Sequence, residues 1–547
     1  MTQPCKLKFQ LKIVILFYLF CCIHAYSLAQ RFEFTRSDSL RGHLNAFRSC
    51  FDVKFYDLGI HVDPLMKSIS GSNQILMEAV TDFSSIQLDL FSNMVIDSIV
   101  YAGQELPYTR EGNAFYVHFP DIIQAGQQLN IRIHYHGAPI VAEHPPWEGG
   151  FIWAKDSLGR DWMAVSCEGT GASLWWPNKD HLSDEPDSMV VTLEIPGHLM
   201  GVSNGRLLDT VSLANGNRRW IWRISYPINN YNITLNIGYY SNFRDSYKGL
   251  EGNLDLDYWV LDYNFEKARE QFRQVQPMLE CYEHYFGPYP FRRDGYKLVE
   301  APYWGMEHQS GIAYGNNYQD NEFGFDYIII HESAHEYWGN SVSVSDHGDM
   351  WVHESFATYA ESLFMEYFHG THAAIEYLEM QKESINNQQP IQGPLEVNYN
   401  NWPDADMYYK GSWMLHSLRH TINNDSVWFS VLKNLCREFK YQTITGSDLI
   451  EYVNANTEYD LEPIFDNYLN NAKAPVLKAI DKRKKTARVL KYKWKNVLED
   501  FNMPVEVRYG QDNYRLFPTI KKQILKLPDP DNEEVAYSTE LFYFYVR

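Results

Sequence analysis

The spacing of apolar and polar residues changes twice along the chain. Between Phe51 and Phe243 short runs alternate, as in Ser85-Ile-Gln-Leu-Asp-Leu90, Asn130-Ile-Arg-Ile-His-Tyr135 and Val190-Val-Thr-Leu-Glu-Ile195, with Gly, Asn and Pro between them. A period of two puts every second side chain on one face of a pleated sheet, so this half reads as half-buried strands. From Asn264 the period lengthens: Phe265, Ala268, Phe272 and Val275 fall on one face of a predicted helix, which Phe286-Gly-Pro-Tyr-Pro-Phe291 ends because Gly and Pro close helices. Lys297-Leu-Val-Glu300 reads as a strand, and the polar, Pro-punctuated stretch Asn386 to Asp404 as a loop over or beside a cleft. Past Ala474 the text is strand-like again, in Val505-Glu-Val-Arg-Tyr509 and Leu541-Phe-Tyr-Phe-Tyr-Val546, which predicts a small β domain. The basic run Lys482-Arg-Lys-Lys485 reads as a solvated loop or hairpin end.

With 547 residues the chain can bury more than one core, and two to four domains are expected. Its first segment carries Lys6, Lys8 and Lys12, an apolar run from Ile13 to Ile23, and Ser27-Leu-Ala29, the pattern of a signal peptide cleaved before Gln30. The expected location is therefore secreted or periplasmic. No later stretch offers the roughly 20 apolar residues of a spanning helix, so no integral membrane segment is expected after cleavage. Cys50, Cys167, Cys281 and Cys436 then remain, without Cys-x-x-Cys spacing, and read as buried free thiols. Removing three lysines and no acid takes the formal charge from −21 to −24, which argues against nucleic acid and anionic membrane surfaces as partners.

The chemistry concentrates between residues 304 and 411. His331-Glu332-Ser-Ala-His335 places two imidazoles at i and i+4, on one face if Ile328 to Trp338 is helical, with Glu332 beside them. A catalytic zinc takes three protein ligands and keeps a position for water, and His2Glu is a standard set. Glu354, in His353-Glu-Ser-Phe-Ala-Thr-Tyr-Ala-Glu361, is the expected third ligand to one zinc ion. Glu332 is then placed to act as general base and afterwards as general acid.

His331-Glu-Ser-Ala-His-Glu-Tyr-Trp-Gly-Asn340, followed by Trp351-Val-His-Glu-Ser-Phe-Ala357, resembles the M1 family of zinc aminopeptidases, relatives of aminopeptidase N and leukotriene A4 hydrolase. The resemblance covers about residues 30 to 475. It implies a saddle-shaped N-terminal β domain and a thermolysin-like α+β catalytic domain. With the pattern above it divides the chain into a signal peptide (1–29), an N-terminal β domain (30–245), a zinc metallopeptidase domain (246–474) and a small C-terminal β domain (475–547). Trp304-Gly-Met-Glu-His308 is similar to the family's Gly-x-Met-Glu-Asn motif, which implies that Glu307 binds the α-amine of the substrate; Trp304 and His308 depart from it. Ser166-Cys-Glu168 resembles a second amine anchor, pointing to Glu168, with Trp176-Pro177 and Asp184-Glu-Pro186 after it similar to the family. Tyr408-Tyr-Lys-Gly411 looks like the family's Tyr-x-Lys-Gly, which implies that Tyr408 donates to the oxyanion. The implied partners are peptides with a free N-terminus. Two other readings stay open: an endopeptidase without an amine requirement, and a non-catalytic peptide-binding protein on the same fold. The oligomeric state and the preferred N-terminal residue are not encoded in these motifs.

Overall fold

The computed structural model describes residues 34–400, 402–484, 487–528 and 534–547. The expected signal peptide, residues 1–29, lies outside them, as does Lys485 of the basic run. Ser37–Arg547 forms one compact unit.

Strand Phe51–Asp63 lies inside an eight-stranded sheet, antiparallel to Ser68–Ala79 and parallel to Ser188–Pro196. Its side chains alternate between buried and half-buried except at Lys54, where a register shift between Val53 and Phe55 marks a bulge. Val191, Leu193 and Ile195 all point inward, as their period of two requires. Smaller sheets pack beside it, among them the strands Gly150–Lys155 and Asp161–Ser166, whose end leads into Glu168.

The second architecture is a five-stranded sheet, ordered Tyr240–Gly249, Gly252–Leu261, Tyr296–Glu300, Ile312–Tyr314 and Gly305–Met306. The change of sheet thus falls at Tyr240, inside the segment assigned from sequence to the N-terminal domain. Helices follow. The stretch from Phe265 is two α-helices, Phe265–Gln271 and Val275–Phe286, joined by a 3-10 turn, and Ala268, Phe272 and Val275 are buried on the shared face. Helices Tyr327–Ala334, Trp351–His369, Thr371–Glu383 and Asp406–Ile422 build the body behind the cleft.

Strands Val476–Lys484, Ala487–Lys495 and Gln523–Leu527 make the main C-terminal sheet, and Val505–Tyr509 sits in a three-stranded neighbour. Leu541 to Val546, read from sequence as a strand, pairs only at Tyr545–Val546. Phe542, Tyr543 and Phe544 are buried in succession, so the segment is wedged between elements and does not lie in a sheet with one wet face. Tyr543 N donates to Ser417 Oγ at 2.9 Å, and Lys382 and Arg515 donate to the carbonyls of Thr539 and Thr421, so this domain is tied to the helices. Among the described residues no helix is long and apolar enough to cross a membrane. Cys50, Cys167, Cys281 and Cys436 are buried and free.

Candidate active site

Helix Tyr327–Ala334 starts at Asp326, whose side chain accepts from Ile328 N at 3.1 Å and from Tyr314 Oη at 2.6 Å. The helix is shorter than the span Ile328 to Trp338 expected from sequence. It ends at Ala334, and His335 caps it while keeping right-handed helical backbone, so the i and i+4 geometry survives. His331 Nε2 and His335 Nε2 stand 3.3 Å apart. The Gly-Asn that follows has a steric reason: a Cβ on Gly339, whose φ is +121°, would lie 3.3 Å from both His335 Nδ1 and the His353 ring.

The third donor comes from the next long helix. Glu354 Oε2 lies 3.6 Å from His331 Nε2 and 3.5 Å from His335 Nε2. Donors bound at about 2.0–2.2 Å to a tetrahedral zinc stand roughly 3.4 Å from one another, so the three atoms describe three corners of that tetrahedron. Glu354 Oε2 is buried and has no hydrogen-bond partner, the state of an acceptor reserved for a cation. The nitrogen donors are set the same way. His331 Nδ1 meets Glu361 Oε1 at 2.6 Å and His335 Nδ1 meets the carbonyl of Trp338 at 2.9 Å, so each Nδ1 carries the proton and each Nε2 lone pair faces inward. A zinc ion fits these residues.

Glu361 was not assigned from sequence. It lies two turns after Glu354 on helix Trp351–His369, and its other oxygen accepts from Tyr377 Oη at 2.5 Å and Gln381 Nε2 at 3.3 Å. Its spacing of seven from Glu354 is the signal that identifies it. Asp349, a turn residue, accepts from Gln392 Nε2 and Gly446 N and holds the loop, with no contact to a ligand histidine.

Glu168, Glu307, His331, Glu332, His335, Glu354 and Tyr408 all line one cleft of about 440 Å³. Glu307 follows the edge strand Gly305–Met306 and accepts from Tyr231 Oη at 3.0 Å, while its carbonyl accepts from Asn340 Nδ2 at 2.8 Å. Tyr231 and Asn340 were likewise not anticipated; Tyr231 is far away in sequence and leaves no local signal. His308, the departure from the family motif, is fully buried and is not among the residues that line the cleft. Gly305 is needed where it stands, since a Cβ there would fall 2.6 Å from Glu332 Oε1.

Tyr408 is delivered by helix Asp406–Ile422. Gly411 lets that helix approach the ligand helix: a Cβ on it would lie 1.9 Å from Ser355 Oγ, which itself donates to the carbonyl of Met407 at 2.9 Å. The Tyr408 ring then stands 6.2 Å from His331. Burial, followed by the Glu354 carboxylate, holds its pKa far above a free tyrosine's, so the hydroxyl keeps its proton and can donate.

Four carboxylates share this cleft, Glu307, Glu332 and Glu354 buried and Glu168 half-buried. Burial first, then Glu307, Glu354 and Glu332, push Glu168 well above the usual carboxylate range, and burial raises Glu307. Glu332 is pushed up to about 7, mainly by burial, with His331 opposing. Glu168 and Glu307 therefore sit where a bound cation would relieve the repulsion.

Residues 271–468 match the Peptidase family M1 domain. The chain carries an M1 peptidase domain. The M1 match spans the two histidines, Glu307, Glu354 and Tyr408. Human endoplasmic reticulum aminopeptidase 1 is 21% identical over 423 residues, 72% of this chain and 44% of that protein. Rat aminopeptidase B is 24% identical over 369 residues, 63% of this chain and 53% of that protein. The chain thus spans about half the length of these relatives. In fold, it resembles an M1 zinc metallopeptidase from Deinococcus radiodurans bound to a Tyr-Ser-Ala substrate, with TM-score 0.65, 20% identity, and coverage of 78% of this chain and 95% of that one. Legionella pneumophila aminopeptidase A gives a TM-score of 0.77 at 14% identity, covering 91% of this chain and 60% of that one. The N-terminal β domain, helical catalytic region and C-terminal sheets agree with these M1 structures.

Proposed function

We propose that this protein is a zinc aminopeptidase that hydrolyses the first peptide bond of peptides with a free N-terminus, using one zinc ion per chain held by His331, His335 and Glu354. The observation that carries the reading is the pair of carboxylates, Glu168 and Glu307, that line the zinc cleft without belonging to the ligand set. When bound, the ion supplies Lewis acidity toward the scissile carbonyl and acidifies a water molecule. Glu332, lining the cleft beside the two histidines, takes the proton of the attacking water and hands it to the departing amine. Tyr408 donates its hydroxyl proton in a hydrogen bond to the developing oxyanion. Glu307, oriented by Tyr231, and Glu168 hold the α-ammonium, which fixes the first peptide bond at the ligand triad and makes the clamp catalytic as well as selective.

The test compares free and N-acetylated peptides on wild type and Glu307→Ala. Wild type should prefer the free peptide by roughly 100-fold or more, since acetylation removes the charge that the buried Glu307 and the half-buried Glu168 await. The mutant should lose most of that preference. Equal cleavage of both peptides by wild type would favour an endopeptidase. We further propose that the segment before Gln30 exports the chain and is cleaved there; retention of the uncleaved chain in the cytoplasm speaks against it.

A further inference from the structure

A strip of aromatic rings runs from the ligand helix to the cleft mouth. Tyr327 stacks on His331 with centroids 5.1 Å apart, Trp304 stacks on Tyr327 at 5.1 Å with planes 11° apart, and Trp147 follows 6.2 Å from Trp304. All three of these aromatic residues line the cleft. The outer two are open to solvent, Trp147 by 64% and Trp304 by 43%. Trp304 is held in place, its Nε1 donating to Asn316 Oδ1 at 3.1 Å and its carbonyl accepting from Gly315 N at 2.8 Å. Trp147 comes from the other wall, on a loop closed by a bridge between His144 and Glu148. Two adjacent indoles left facing water at the mouth of a cleft, one of them fixed by hydrogen bonds, are the make-up of a binding surface.

The edge strand says which part of a substrate reaches them. Gly305–Met306 is the last strand of its sheet, paired on one side only with Ile312–Tyr314. A peptide anchored by its amine at Glu307 can extend along the open side as an added strand, running back toward Trp304. At about 3.3 Å per residue, Trp304 lies roughly 10 Å from Glu307 along that edge, beside the second and third residues of the peptide. Those residues belong to the fragment that leaves.

We propose that Trp304 and Trp147 form an aromatic subsite for the leaving fragment, so that the substrates are peptides with an aromatic or large apolar side chain at the second or third position. This rests on the aminopeptidase reading and adds selection beyond the cut bond. The experiment measures kcat/KM for Leu-Ala-Ala, Leu-Phe-Ala and Leu-Ala-Phe with wild type, Trp304→Ala and Trp147→Ala. Wild type is expected to favour at least one phenylalanine peptide over Leu-Ala-Ala by about tenfold or more. Both variants should bring that ratio below about threefold. A merely structural role for the tryptophans would slow all three peptides alike and leave the ratio standing, which overturns the proposal. Trp147→Ala, on an exposed loop, keeps the test decisive if Trp304→Ala does not fold. Cleavage by wild type without any phenylalanine preference sinks the subsite alone; failure of wild type to cleave any of the three unblocked peptides sinks the aminopeptidase reading with it.

Discussion

Glu361 Oε1 stands 2.6 Å from Nδ1 of His331, on the same helix that supplies Glu354. One helix therefore both offers a ligand and orients another. Glu361→Gln keeps the shape but can offer the imidazole only a neutral acceptor. Zinc affinity should fall about 10- to 100-fold, read by competition with a chromophoric chelator. An unchanged affinity would show that the ring is oriented by packing alone.

Tyr408→Phe removes one hydroxyl from the cleft and leaves the ring against His331. A donor aimed at developing charge contributes about 2.7–4 kcal/mol, so kcat should drop roughly 100-fold or more with little change in KM. A loss below about tenfold transfers the role to another donor, with Tyr409 the neighbour to examine.

Gly411→Ala should act through packing. The added methyl would fall 1.9 Å from Ser355 Oγ, between the ligand helix and the Tyr408 helix. Overpacking of this kind costs about 1–3 kcal/mol, seen as a lowered Tm, and turnover should fall with it because Tyr408 moves away. Adding Ser355→Gly should recover part of both losses; if the double variant is no better than the single one, the contact is not the cause.

At the far end of the same helix Arg419 donates to Asp425 from two nitrogens at 2.8 Å and to Glu366 at 2.5 and 2.8 Å. The hydrogen bond from Arg419 is the main cause of the lowered Asp425 pKa. A carboxyl depressed on folding adds stability above its unfolded pKa of about 3.9 and loses it as pH falls through the folded value. The Tm gap between wild type and Asp425→Asn should be present at pH 6 and shrink below about pH 4. A gap that persists undiminished at pH 2.5 assigns the effect to something other than the ion pair.

Much of the site was legible because it is written in local text. His331, Glu332 and His335 share one turn, and Glu354 opens the next long helix, so the pentad together with the flanking text that resembles the M1 family points to the ligand set. What escaped is what the fold brings from afar. Tyr231 reaches Glu307 from the β domain, and Asn340 was visible as a letter without its partner, the Glu307 carbonyl. Alternation located the strands of the N-terminal half, because one face there is dry and the other wet. It misread Leu541 to Val546, where Phe542, Tyr543 and Phe544 are all enclosed and period carries no information.

That enclosed trio has a practical meaning for anyone dissecting the molecule. Tyr543 accepts at its carbonyl from Tyr468 Oη, and its own hydroxyl accepts from Asn387 Nδ2 at 2.8 Å, so the floor beneath the peptidase helices is laid by a residue 75 positions beyond Tyr468. A fragment cut at the limits of the 271–468 match would expose that floor to water and should aggregate or melt early, however complete its ligand triad.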